Sequence, residues 1–424
     1  MRIDTLRAQN FDGFTDRTFH FHPRFNLVIG DNASGKSSLL DALAIAAGSW
    51  LLGIPGYGNI GGISVREVRI AAHKHADSYT FEKQFPTRIE CSGIVLGRPI
   101  HWARELLREG GRTTSKDAAA IRDLADDAGR RVRNGEDITL PLLGAYGTER
   151  LWFETLHRKP TSAANGVAQM PSRLDGYRDC LGFEIQETAL IDWVRDQTTA
   201  TLQLQRDPIA LAAVKQAIMG CVKGAKSIYY DGRYKDLVVD LGNSGPQLLS
   251  NLSDGQRIIL TLVADLAKRA AILNPHLGNS ALSETPGVVM IDELDLHLHP
   301  KWQRRVIHDL KSTFPSVQFI ATTHSPQLIG EALPEEIRRL DQDEVTTPPR
   351  SFGIDSSRIL QEVMGASARD DLVGELLERL FQSIDEERFD AARKLLADVE
   401  AKLGSNDPEV TRARTLMSFL ESEV

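Results

Sequence analysis

Apolar and polar residues alternate in short runs through IDTLRAQNFDGFTDRTFHFHPRFNLVIGDN, interrupted by Asp12-Gly13. That period of two predicts antiparallel strands ending in a buried one, FNLVIG. A helix from Gly35 to about Leu52 is predicted next, and residues 53–78, rich in glycine and histidine, read as loop. TRIECSGIVLGRPIHWARELL reads as a β-hairpin running into a helix, and SKDAAAIRDLADDAGRRVRN as a polar helix before another apolar strand, LPLLGAY. From about 151 to 230 the pattern is mixed and helical, with turn clusters such as TSAANG. From 235 onward strand and helix alternate: DLVVDL, the helix after Arg257, GVVMI, the helix after Pro300, and VQFIAT. Short apolar strands separated by helices predict a parallel sheet covered on both faces.

The end of the chain differs. Leu372, Leu376, Leu380 and Ile384 recur every four residues, and Phe389, Ala392, Leu396, Val399 and Leu403 form a second stripe. Gly404 suits a C-terminal cap, and Asp407 before Pro408 suits the start of a third helix. Residues 370–424 hold 14 acidic against 7 basic side chains, so most of the net charge of −8 lies there. Two roles stay open for this small helical appendage: a bundle packed on its own chain, or a docking module.

A chain of 424 residues is long enough for two domains or more. With 42% apolar and 25% charged residues it reads as an ordinary globular protein, and its near-neutral body announces no strongly basic nucleic-acid domain. The three separated cysteines, Cys91, Cys180 and Cys221, argue against a disulfide framework and for the cytoplasm. No window has the uninterrupted apolar length of a membrane span; LLDALAIAAGSWLLGIP is interrupted by Asp41.

GDNASGKS, Gly30 to Ser37, has the two glycines, lysine and hydroxyl of a phosphate loop, between an apolar strand and a helix. The residues expected around the phosphates are Asn32, Ala33, Ser34, Gly35, Lys36, Ser37 and Ser38, with Lys36 on the β and γ phosphates of ATP and Ser37 on Mg2+. VVMIDE ends a strand in two carboxylates, where ligands of open parallel sheets bind. Asp292 is the expected second holder of Mg2+, and Glu293 the group that polarises an attacking water. IATTHSP puts His324 at another strand end, 31 residues beyond Glu293, where an imidazole can hydrogen-bond the γ-phosphate or the water. LSDGQR combines a serine, a glycine and a helix start, a second anion site at Ser253, Gly255 and Gln256. Its use is clearest on the exposed side of the γ-phosphate of a neighbouring copy.

The order phosphate loop, LSDGQ, acidic pair, histidine resembles the ATP-binding-cassette class that includes the structural-maintenance, Rad50 and RecF ATPases. QNFDGFTDRTFHF, LSDGQ, DELDLHLHP and THSP look like the cassette-type AAA ATPases of bacterial defence systems. GAYGTERLW, RLDGYRDCLGF and the tail with FQSIDEERFDAARKLLADVEAKLGSNDPEV are similar to the ATPase subunit of Septu-type antiphage systems, which acts beside an HNH endonuclease. The resemblance implies an α/β ATPase head with antiparallel N-terminal strands, an inserted helical lobe and a C-terminal helical appendage. It implies lobes at 1–150 (phosphate loop), 151–234 (insertion), 235–350 (signature, acidic pair, histidine) and 351–424 (partner or assembly module). It also implies a homodimer or higher homo-oligomer that sandwiches ATP and controls a separate HNH-type nuclease, with DNA contact open and no membrane. The alternative is a RecF-like, ATP-dependent DNA clamp for repair; a transporter motor is weakened by the RecF-like opening. By position, Tyr146 to Arg150 replace the glutamine loop of the class, and no glutamine stands there.

His20 with His22, His73 with His75, and His297 with His299 have a spacing that can bind metal, but the last pair lies where cassette ATPases run a loop across the dimer interface. Asp341 and Asp343 imitate paired nuclease acids with too little chain after them to build that domain. Arg130, Arg131 and Arg133 read as a solvated helix end, with contact to a nucleic-acid phosphate backbone as the alternative.

Overall fold

A computed structural model describes residues 1–57, 61–148, 171–183, 187–341, 344–367 and 369–422. Two compact units divide the chain, Met1–Gly353 and Ile354–Val424.

The first unit is built on two sheets. One is antiparallel, in the order β2-β1-β6-β7, with β1 Arg2–Phe11, β2 Phe14–His20, β6 Thr87–Val95 and β7 Arg98–Leu106. The other runs β15-β14-β3-β13-β12-β8, with β3 Phe25–Gly30, β8 Leu142–Tyr146, β12 Gly287–Ile291, β13 Val317–Thr322, β14 Ile337–Leu340 and β15 Val345–Thr346. All its neighbours are parallel except β15. Strands β8, β12 and β13 are buried along their whole length, which is why they read as unbroken apolar runs. Gln318 ties the two sheets together, accepting from the Ile3 N–H and donating to the Ile3 carbonyl. The α-helix α1, Lys36–Gly48, packs between them, and Trp102 of β7 donates to the Ala46 carbonyl at 2.9 Å.

Three expectations are corrected. WAREL continues β7 and is not a helix: Trp102, Arg104 and Leu106 face inward opposite Cys91, Ile89 and Thr87, so the period is two. Within the expected loop at 53–78 a hairpin begins, β4 Ile70–His75 with β5 Ser78–Lys83, whose side chains are largely exposed and therefore carry no apolar pattern. DLVVDL is a strand, β10 Asp236–Asp240, but it pairs antiparallel with β9 Ser227–Asp231 and β11 Pro246–Leu248 in a separate sheet.

Helices cover the rest: α2 Ala119–Arg133, α3 Glu187–Leu204, α4 Ile209–Cys221, α5 Asp254–Leu273, α6 Ala281–Glu284, α7 Pro300–Thr313 and α8 Pro326–Ile329. TSAANG and Glu149–Arg150 lie outside the described residues, as does Asp343. Arg130 and Arg131 are exposed and paired with Asp127 and Glu136.

The second unit opens with the short α9, Ser356–Arg358, followed by α10 Asp371–Asp385, α11 Phe389–Leu403 and α12 Pro408–Ser422. Leu377, Leu380, Ile384, Ala392, Val399, Val410, Ala413 and Met417 form its core. Leu372, expected in the stripe, is 69% exposed; Leu377 takes the inward position. Gly404 ends α11 at φ 85°, a positive angle that favours glycine, and the Asp407 carboxylate accepts the Glu409 N–H. Among the described residues no helix is long and apolar enough to cross a membrane.

Candidate nucleotide site

Strands β3, β12 and β13 end side by side, so the turns after them meet at one edge of the parallel sheet. The phosphate loop follows β3. Gly35 has φ 93°, and a Cβ there would lie 2.6 Å from the Phe14 ring, so glycine is required both by conformation and by space. Helix α1 begins with no side-chain cap and no acidic residue in its first turn, leaving its N–H groups for an anion. The Ser34 hydroxyl is buried and has no hydrogen-bond partner. Lys36 donates to the carbonyls of Gly30 and Asp31 at 2.9 and 2.8 Å. Burial lowers its pKa, and Asp292, Asp31 and Glu293 oppose that shift.

Ser37 Oγ donates to Asp292 Oδ2 at 3.0 Å. The other Asp292 oxygen accepts from Thr322 Oγ1, which also accepts the Glu293 N–H at 2.7 Å. Glu293 stands at φ 45°, an uncommon conformation for a side-chain-bearing residue. His324 is half-buried between two fixed neighbours. Thr323 Oγ1 donates to Asp295 and accepts the Ser325 N–H, while Ser325 Oγ donates to Gln303 Oε1 at 2.8 Å. Gln303 in turn holds the Leu298 carbonyl, so the DLHLHP loop is braced against the strand carrying His324.

The donor set fits Mg2+: a hydroxyl and a carboxylate are hard oxygen ligands, and few protein ligands leave room for water and phosphate. ATP is matched by the uncapped helix start and the orphan Ser34 hydroxyl. Among the described residues no cluster of three or more His, Cys, Asp or Glu side chains could hold a metal, the three His-x-His pairs included.

The signature loop is placed differently. Ser253 and Asp254 are exposed at the start of α5, and the N–H and hydroxyl of Ser253 both donate to Gln256 Oε1. Gly255 is buried against the DLHLHP loop; a Cβ there would lie 2.3 Å from the His297 carbonyl oxygen. Arg257 is fixed by Glu187 of α3 through two hydrogen bonds of 3.0 and 2.8 Å.

Sequence reading missed three contributors. Thr322 stood inside IATTHSP beside the histidine that drew attention, and only its contact with Asp292 marks it. Asp12, at the turn between β1 and β2, accepts a hydrogen bond from Ser38, a contact no spacing rule reveals. Asp41, read as an interruption of an apolar helix, is pushed up to about 7 by burial and by Glu67, Asp12 and Asp292.

An α/β head whose phosphate loop, acidic strand end and histidine strand end share one sheet edge defines the P-loop ATPase class. The chain belongs to the AAA domain family, whose profile matches residues 5–218; a second AAA domain profile matches residues 235–330. It is similar to the Retron Ec83 probable ATPase of Escherichia coli, 34% identical over 73% of this chain and 51% of that protein. It is also similar to the Septu protein PtuA of Bacillus thuringiensis, 32% identical over 38% of this chain and 44% of the relative. The chain thus spans about half the length, or less, of the curated relatives it matches. The Septu likeness read from the sequence is borne out in these relatives. Among solved structures, the SMC head domain from Thermotoga maritima aligns with 82% of this chain and 99% of its own, at 17% identity and a TM-score of 0.46.

Proposed function

We propose that this chain binds ATP with Mg2+, hydrolyses it at an interface completed by a second copy, and controls a separate nuclease in a bacterial antiphage system. The observation that carries the ATPase reading is the Ser37 to Asp292 hydrogen bond of 3.0 Å, which joins segments 255 residues apart at the start of α1 and the end of β12. These two side chains hold Mg2+, which neutralises charge on the β and γ phosphates when bound. Lys36 and the N–H groups of α1 bind the same phosphates. Glu293 orients a water and takes its proton as the water oxygen bonds to the γ-phosphorus and the bond to the bridging oxygen breaks. ADP leaves with that electron pair, and inorganic phosphate is released. His324 hydrogen-bonds the γ-phosphate. Ser253, Gly255 and Gln256 of a second copy close its outer side.

The family match and the ATPase relative support the chemistry; the Septu relative supports the defence setting and a partner nuclease, whose HNH type is what the sequence resemblance implies. A cytoplasmic homodimer or larger assembly fits both, with direct DNA contact left to experiment. The test is Glu293→Gln. The variant should bind ATP as the wild type does, turn over at least about 100-fold more slowly, and accumulate as an ATP-loaded oligomer in size-exclusion chromatography with light scattering. Turnover unchanged in this variant overturns the assigned role. Co-purification of the native protein with DNA and no nuclease would favour the clamp reading instead.

A further inference from the structure

A polar strut inside the core joins the strand end that carries Asp292 to the helix that carries the signature loop. Strands β8 and β12 are parallel, with Tyr146 opposite Ile291, and the Asp292 N–H donates to the Tyr146 carbonyl at 2.7 Å. The tyrosine is 2% exposed, and its hydroxyl donates to Asp265 Oδ2 of α5 at 3.0 Å. Asp265 also accepts from Arg269 Nε at 2.6 Å and pairs with Lys268 Nζ at 3.1 Å. Arg269 reaches on to the carbonyls of Gly176 and Arg178 at 3.0 and 2.7 Å.

Burial favours a neutral Asp265, but Arg269 and Lys268 outweigh it and hold the carboxyl down at about 2. The Tyr146 hydroxyl, raised well above its usual range by burial and by Asp265, stays protonated and is the donor. A buried ionic cluster seldom stabilises a fold more than apolar residues of similar volume would. Packing alone therefore does not explain these four polar side chains. What they do supply is a fixed separation between two elements. From Asp265 to the start of α5 at Asp254 the helix runs about 16 Å, at 1.5 Å per residue, so a shift at Tyr146 is carried to Ser253 by a rigid rod.

We propose that Tyr146 is a positioning residue that couples the place of Asp292, set by bound nucleotide, to the presentation of Ser253 and Gly255 toward a second copy. The proposal rests on the ATPase reading above. Tyr146→Phe removes one oxygen and keeps the ring. Its affinity for a non-hydrolysable ATP analogue with Mg2+ should stay within about twofold of wild type, while kcat and ATP-dependent self-association fall about tenfold. A double-mutant cycle with Ser253→Ala separates positioning from general loosening. If the strut acts through the signature loop, the double variant is no slower than the slower single variant by more than about twofold; if the two losses multiply, the strut is not the link. A kcat within about twofold of wild type for Tyr146→Phe also overturns the proposal. Should Tyr146→Phe fold poorly by thermal melting, the same cycle is run with Asp265→Glu, which displaces the acceptor by one methylene. A wild type that neither binds nor hydrolyses ATP defeats the ATPase reading, and this proposal with it; an active wild type with an equally active Tyr146→Phe defeats the strut alone.

Discussion

The phosphate loop and the signature loop are both short polar turns that feed a helix, yet the fold treats them in opposite ways. Ser37 is engaged by Asp292, and that carboxylate is held in turn by Thr322, so three distant segments meet there. The Ser253 side chain bonds to Gln256, three residues on, and faces solvent. Folding alone assembles the first group. The second is a prepared surface: Gly255 is pressed against the His297 backbone and Arg257 is locked to Glu187, while the serine at the tip stays outward. On the proposed function, one half of the pocket is finished within the chain and the other by association, and this asymmetry makes hydrolysis depend on protein concentration.

The strongest way to break that contrast is on the loop that folding completes. Lys36→Ala removes the ammonium now spanning the Gly30 and Asp31 carbonyls, and ATP affinity should fall at least about 100-fold by isothermal titration calorimetry. Affinity within about threefold of wild type would move the nucleotide elsewhere. A smaller and more selective effect is expected at the other loop. Gly255→Ala pushes a methyl group against the His297 carbonyl, so specific activity should fall about tenfold, and its rise with protein concentration should flatten, while ATP affinity changes by less than about threefold. A variant that lost affinity and turnover together would mean that Gly255 serves its own chain's pocket.

How much of this was legible in the sequence follows from the same asymmetry. Candidate motifs defined by a fixed local spacing were readable: Gly30 to Ser37, Asp292 with Glu293, and the LSDGQ turn each lie within a few residues. The buried parallel strands were readable because burial on both faces leaves an unbroken apolar run. What escaped is what depends on distant pairing. WAREL has the composition of a helix and becomes a strand because Trp102 and Leu106 find Cys91 and Thr87 across β6. DLVVDL looks like its parallel neighbours, and only its partners β9 and β11 assign it to another sheet. Tyr146 and Asp265 lie 119 residues apart, and no local signal joins them.

The gentlest probe returns to the phosphate-loop side, where completing the pocket within one chain has a cost. Asp41 lies on α1 four residues after Ser37, and burial first, then Glu67, Asp12 and Asp292, push its carboxyl up to about 7. Between about pH 4 and pH 7 the folded protein keeps a proton that the unfolded chain has released, so stability falls as pH rises through this window. The full penalty is present above about pH 7 and absent near pH 4. Asp41→Asn cannot ionise and escapes it. The thermal midpoint of the metal-free variant should exceed wild type by about 3 °C at pH 8 and match it within about 1 °C at pH 4.5. Mg2+ with nucleotide should narrow the gap at pH 8, because a cation beside Asp292 offsets one of the charges acting on Asp41. An equal difference at both pH values would mean that the Asp41→Asn change acts through packing, and the acidic wall behind the phosphate loop would carry no electrostatic cost.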